Sequence, residues 1–203
     1  ATSAFSMDLR PSIGISGNVA GDAASGTEEN YNNAGTAVDT TTVEHGAFAA
    51  EYGSIFLEAS LNDMVSVGID YVPMDFETPQ NVSQEDESNE KKASARFDDL
   101  TTIYAKINVP LGGTYLKVGY SEVDITPRTN AGSGNTYSSA STSGYTVGLG
   151  YSHDVSNGVS VRLEVSASEY DDVKSNNGQT NKTEITVKDI WGARGTLSIV
   201  KSF

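Results

Sequence analysis

The chain has 203 residues, 27 acidic against 13 basic side chains, a net charge of −14 and no cysteine. That length is enough for one domain with a real core; the missing cysteine excludes disulfide scaffolds and thiolate metal sites. The acidity argues against nucleic acid as a partner, since phosphate binding needs clustered Lys and Arg.

No apolar run approaches the ~18–20 residues of a membrane-spanning helix. The N-terminal "ATSAFSMDLRP" lacks the charged start and apolar core of a signal peptide. Helical periodicity is nearly absent, and period two recurs throughout, which is the mark of strands with unlike faces. In chain order, "LRPSIGISGNV" puts Leu9, Ile13, Ile15 and Val19 opposite Arg10, Ser12, Gly14 and Ser16. The stretch 42–61 is less regular, with Ile55, Leu57, Ala59 and Leu61 opposite Glu58 and Ser60, and Gly53 reads as a bulge where the phase changes. "MVSVGIDYVP" sets Val65, Val67, Ile69 and Tyr71 against Ser66, Gly68 and Asp70. "TIYAKINV" sets Ile103, Ala105, Ile107 and Val109 against Tyr104, Lys106 and Asn108, and "YLKVGYSE" sets Leu116, Val118 and Tyr120 against Lys117, Gly119 and Ser121. In "GYTVGLGYSHD", Tyr145, Val147, Leu149 and Tyr151 alternate with small residues, and in "VSVRLEVSAS", Val161, Leu163 and Val165 alternate with Arg162 and Glu164. The C-terminal "WGARGTLSIVKSF" carries Trp191, Leu197, Ile199 and Phe203 on one face and Arg194 on the other.

Three connections are tight, near 60–63, 110–113 and 155–158; four are long and polar, about 21–41, 74–96, 126–142 and 171–184. They alternate strictly, as expected of a membrane barrel with short turns at one end and long loops at the other. The fold class is therefore all-β: a closed, antiparallel, eight-stranded, up-and-down transmembrane barrel with four long extracellular loops and three short periplasmic turns. A soluble sandwich could share the alternation, with its apolar face inward. Three features favour the membrane barrel. Small residues alternate with large ones on the polar face, as a narrow bore requires. That face is balanced in charge within an acidic chain, as a closed lumen requires. Tyr71, Tyr120, Tyr145, Tyr151 and Trp191 lie toward strand ends on the apolar face, where interfacial girdles form.

The ending "WGARGTLSIVKSF", with its terminal Phe203, resembles the assembly signal of bacterial outer-membrane proteins; Lys201 departs from the usual apolar residue. "GYTVGLGYSHDVSNGVSVRLEVSASEYDDV" resembles the late strands of the small OmpA-like and opacity-type barrels. The resemblance implies residence in the Gram-negative outer membrane, contact with its lipid and lipopolysaccharide, and delivery by periplasmic chaperones to a barrel assembly machinery. That machinery would read Trp191, Leu197, Ile199 and Phe203. Residues 1–203 read as a single barrel domain with no appended peptidoglycan-binding domain.

Arg10, Glu58, Asp70, Lys106, Lys117, Arg162, Glu164 and Arg194 form the expected lumen charge network, with Arg162 and Glu164 two apart and hence on one face. Arg162→Ala is expected to strand Glu58 or Glu164. The acidic run holding Asp75, Glu77, Glu85, Asp86, Glu87 and Glu90 offers oxygens of the kind Ca²⁺ or Mg²⁺ takes, but in no EF-hand spacing; a solvated loop is the plainer reading, and no cofactor is expected. His45, beside Glu44, and His153 carry no catalytic assignment. The expected function is non-enzymatic: a surface-presenting barrel whose acidic loops serve protection, adhesion or contacts with neighbouring barrels or a surface ligand. A small passive channel and a soluble secreted sandwich or coat protein are the alternatives.

Overall fold

The computed structural model describes residues 9–78, 81–84, 90–129, 137–179 and 182–203, with residues 81–84 and 90–93 as backbone only. Its strands are β1 (Arg10–Tyr31), β2 (Val38–Ser60), β3 (Val65–Tyr71), β4 (Phe76–Glu77), β5 (Asn81–Gln84), β6 (Glu90–Asn108), β7 (Thr114–Thr129), β8 (Ala140–Ser156), β9 (Val159–Tyr170), β10 (Val173–Asn176) and β11 (Thr183–Ser202). Eight of them, in the order β1-β2-β3-β6-β7-β8-β9-β11, pair antiparallel, and β1 pairs with β11 to close the ring. β4 and β5 extend the wall along β6, and β10 extends it along β11. The closing register runs from Ser12↔Ser202 up to Asn30↔Thr183.

The three short turns and both described chain ends lie at one end of the barrel. Asn157 and Gly158 adopt φ 48° and 73°, the left-handed pair that a two-residue hairpin needs. Lys201, the exception on the apolar face, sits at this rim: its ammonium donates to the Asn157 carbonyl and lies 5.9 Å from the Phe203 ring centroid. The Phe203 amide donates to the Pro11 carbonyl at 3.0 Å, which ties the chain end to the first strand.

Toward the other end the sequence reading needs correction. Much of 21–41 expected as loop is strand: β1 and β2 run 22 and 23 residues, about twice the 9–11 that cross a bilayer. β4, β5 and β10, with the upper parts of β6, β7, β8 and β11, likewise occupy segments expected as loops. The wall thus continues well above the membrane.

The polarity of the wall reverses partway up. On β7, Val118 and Tyr120 point out while Tyr115, Lys117 and Ser121 point in; two residues higher, Glu122 and Asp124 are exposed and Val123 is buried. The change comes just above a ring of exposed aromatics, Tyr71, Tyr120, Tyr145 and Trp191, with Tyr120 and Tyr145 packed edge to face at 5.4 Å. Below the ring, apolar side chains meet lipid, as in membrane barrels. Above it water surrounds the wall, so the apolar side turns inward, as in soluble barrels. The lower storey follows the expected assignment of faces; the upper storey inverts it.

Two strands change phase to make this switch. β6 gains one residue against β7 between Asp98 and Thr101, and β11 gains one against β1 opposite Ala23–Ser25. Asp99 and Asp189 take φ 55° and 52° at these bulges, a left-handed conformation that aspartate tolerates better than most residues. Each precedes a bulky residue facing the interior, Leu100 and Ile190. The bulge expected at Gly53 is absent: β2 pairs with β1 in unbroken register from Ser60 to Thr40. Asp189→Val should lower unfolding stability by about 1–3 kcal/mol, because a β-branched residue is an outlier at that φ. Urea titration of the reconstituted barrel checks this, with Asp189→Gly expected to retain or raise stability.

Above Ile55, β2 has no strand partner on its β3 side among the described residues. Four rings bridge this seam: Phe48 and Phe97 stack at 5.5 Å, Phe97 and Phe76 at 5.2 Å, and Phe76 and Tyr52 at 5.0 Å.

Candidate functional site: an ionic plug beneath an apolar cup

The lower bore is filled by aromatic rings laid over glycines. Phe56, Tyr104 and Tyr115 are the direct cross-strand partners of Gly14, Gly68 and Gly150. A Cβ at any of these glycines would meet the partner's ring closer than the 3.0 Å that real Cβ atoms keep. Glycine is required because the ring lies flat over its backbone.

Charges close the rest. Glu58, only 1 % exposed at its side chain, accepts from Lys106 Nζ at 2.6 Å, from both terminal nitrogens of Arg162 at 2.9 and 3.0 Å, and from the Tyr104 hydroxyl at 3.2 Å. Since β2 and β9 are not neighbours in the ring, the Arg162–Glu58 fork spans the bore. Glu164 accepts from Lys117 at 3.0 Å and Tyr115 at 3.1 Å, and the Lys117 ammonium stands 4.5 Å from the Tyr104 centroid. Asp70 accepts from Ser54, which receives the Asn18 amide; Asn18 in turn accepts from Thr196. The void among these groups is about 20 Å³, room for about one water.

Of the eight residues expected to form the lumen network, seven lie in this interior. Arg10 does not: it pairs with Asp63 at 2.5 Å on the short-turn rim, with 48 % of its side chain exposed. The alternation on β1 is sound, but Arg10 is its first residue and projects past the end of the bore. Arg10→Ala should change stability by no more than about 1 kcal/mol, the range for exposed pairs; a heat-modifiability gel checks it. Arg162 and Glu164 share a face but not a bond, so Arg162→Ala removes the fork on Glu58, which keeps Lys106 and the Tyr104 hydroxyl, while Lys117 keeps Glu164 paired; the expected stranding of either carboxylate does not follow.

Among those seven there are four cations (Lys106, Lys117, Arg162, Arg194) and three carboxylates (Glu58, Asp70, Glu164). The fourth carboxylate is Asp22, which the sequence reading placed in a loop. It is the cross-strand partner of Gly192 and faces Arg194. Its oxygen occupies the place where a Cβ on Gly192 would stand. Arg194 hydrogen-bonds Tyr52 and is attracted by the charges of Asp22 and Asp70.

Above this level the interior opens into a cup of about 660 Å³. Its floor and walls hold Tyr52, Leu100, Val123 and Tyr170, the ring stack of Phe48, Phe76 and Phe97, and Ile185, Val187 and Ile190. No alternation pattern read for the lower strands could find the cup, because its residues sit on extensions with reversed faces.

The remaining sites lie away from the ionic plug. Ser25 and His45 are cross-strand partners on the upper hairpin, with Oγ and Nδ1 2.9 Å apart. His153 is exposed near the Asn157–Gly158 turn. Asp75 pairs with Arg96 at 2.9 Å and Glu77 with Arg128 at 3.2 Å, so both carboxylates already have cationic partners. Glu85, Asp86 and Glu87 lie outside the described residues, as does the side chain of Glu90. At the upper rim Lys182 donates to Glu184 at 2.5 Å and holds its carboxyl below the usual range. Trp191 belongs to the upper aromatic ring and Phe203 to the lower rim, with Leu197 and Ile199 exposed between them.

Residues 4–188 match the family model described as outer membrane protein beta-barrel domain. Among solved structures, the chain is similar to the outer membrane protein OprG from Pseudomonas aeruginosa, with TM-score 0.59 and 14 % identity over 93 % of this chain and 95 % of that one. It is also similar to the outer membrane protein AlkL determined in DMPC bilayers, with TM-score 0.53 and 11 % identity over 92 % and 90 %. At these identities the likeness is one of fold. No curated protein matches the chain.

Proposed function

The chain belongs to the family of outer-membrane protein β-barrel domains, and from that premise we propose that it binds small apolar molecules in a cup open to the cell exterior. The observation that carries this reading is the cavity of about 660 Å³, within the ~300–1,000 Å³ range of small-molecule sites. Its lining is predominantly aliphatic and aromatic. A water-exposed wall has no need to keep such a space empty, and filling it with side chains would gain about 25 cal/mol per Å² of buried apolar surface.

The plug beneath argues against a passive ion path, since the bore at Glu58 and Arg162 holds about one water. Planar-bilayer recordings should therefore show no steady conductance. Surface presentation keeps one observation of its own: residues Val38–Ala47 of β2 are exposed on both faces. That hairpin could meet a partner while the cup holds a ligand.

Photolabelling tests the cup. A neutral alkyl diazirine probe, added to the barrel in lipid nanodiscs, should label Phe97, Leu100 and Val123 saturably. Labelling of the lipid-facing Val147 and Leu149 should rise linearly with probe. Val123→Trp should suppress the saturable labels alone. Labelling confined to the lipid face would overturn the proposal.

A further inference from the structure

Among the described residues that line the cup, those carrying ionisable charge are Asp22, Glu44 and His45; no lysine or arginine is among them. Arg194 stands just below the floor, two residues past Gly192 on the same face of β11. Asp22, unlike Arg194, lines the cup. The absent side chain of Gly192 lets the Asp22 carboxylate lie against β11. Asp70, on the plug side, faces Arg194. A ligand in the cup meets the Asp22 carboxylate, with no Lys or Arg side chain among the described lining residues.

We propose that Asp22 sets the charge selectivity of the cup, so that apolar molecules bearing an organic ammonium are favoured and apolar anions are refused. The inference rests on the cup being a ligand site. Its physical basis is the energy of a charge buried beside an unlike or a like neighbour in a poorly solvated site. An alkylammonium head near Asp22 has a carboxylate and the faces of Tyr52 and Tyr170 to meet. A carboxylate head in the same place meets Asp22 and, higher on the same wall, Glu44; Arg194 is not available to it. Neutral apolar molecules fall between.

The same geometry makes a reversal possible. Replacing Asp22 with Asn keeps the shape and removes the carboxylate from the lining, leaving Arg194 two residues past Gly192 on that wall. Selectivity should then turn toward anions.

The experiment is competition against the neutral diazirine probe at pH 8, in nanodiscs, with dodecyltrimethylammonium, dodecanol and dodecanoate matched for concentration in the membrane. For the wild-type barrel, dodecanoate should compete about tenfold or more weakly than dodecyltrimethylammonium, as one uncompensated charge implies. Asp22→Asn should narrow or reverse that order, and Asp22→Asn with Arg194→Gln should remove the gain for dodecanoate. If dodecanoate displaces the probe from the wild-type barrel as well as the ammonium does, the proposal is overturned, whether or not the variants fold. Absence of any saturable cup label by the neutral probe would instead overturn the ligand-site reading on which it stands.

Discussion

Glu58→Ala is expected to lower the stability of the folded barrel by about 3–5 kcal/mol, the cost of removing one partner from a buried ion pair. The Glu58 side chain is 1 % exposed and satisfies Lys106, both arms of Arg162 and the Tyr104 hydroxyl. Without it, two cations remain in a space too small to hydrate them. Apart from Glu58, the nearest acids are Glu164, already bonded to Lys117 and Tyr115, and Asp70, which faces Lys117 and Arg194. The shift in the urea midpoint of the barrel in lipid vesicles measures the effect. A loss below about 1 kcal/mol would place Glu58 among ordinary surface pairs and remove the plug as a structural unit.

Gly68→Ala should cost about 2–6 kcal/mol although it adds a single methyl. The new Cβ would lie 2.8 Å from the Leu57 carbonyl oxygen and within the Tyr104 ring's own space. The backbone oxygen cannot yield, so the ring must leave. That combines overpacking of about 1–3 kcal/mol with loss of the Tyr104–Glu58 hydrogen bond, about 1–3 kcal/mol for a charged acceptor. Pairing Gly68→Ala with Tyr104→Ala should restore part of the loss. Gly17→Ala, where a Cβ meets nothing within 4 Å, is the control and should be tolerated. Equal effects at Gly17 and Gly68 would mean that glycine matters here for backbone reasons and not as a bed for the ring.

Both effects lie in the half of the molecule whose plan can be read from the chain. Between the short turns and the aromatic ring, each strand faces lipid on one side and a crowded bore on the other. Val147 and Leu149, or Val161 and Leu163, therefore alternate with Gly148, Gly150, Arg162 and Glu164 without exception. Acyl chains and buried ions impose opposite demands on adjacent residues, and the sequence carries both.

The upper half is less legible for three physical reasons. Water replaces lipid outside, so the apolar residues move inward and the outer face becomes as polar as any loop; Glu122–Val123–Asp124–Ile125 alternates in the opposite sense from Leu116–Lys117–Val118. The phase changes at Asp99 and Asp189, and a single aspartate in a left-handed turn has no pattern of its own. The cross-strand partner of Asp22 is Gly192, 170 positions away, across the closing seam of the ring. Arg10 shows the converse limit: its face was readable, but its position relative to the end of the bore was not.

The claim on which the rest stands is the reversal of faces along one continuous strand. Spin-label accessibility on β7 tests it most directly, and a chain with no cysteine allows single labels without background. In lipid vesicles, a label at Val118 should relax with oxygen and be shielded from a water-soluble nickel chelate, and a label at Glu122 should show the opposite. A label at Glu122 that meets oxygen in preference to the chelate, or one at Val118 exposed to the chelate, would contradict the two-storey barrel and the cup built on it.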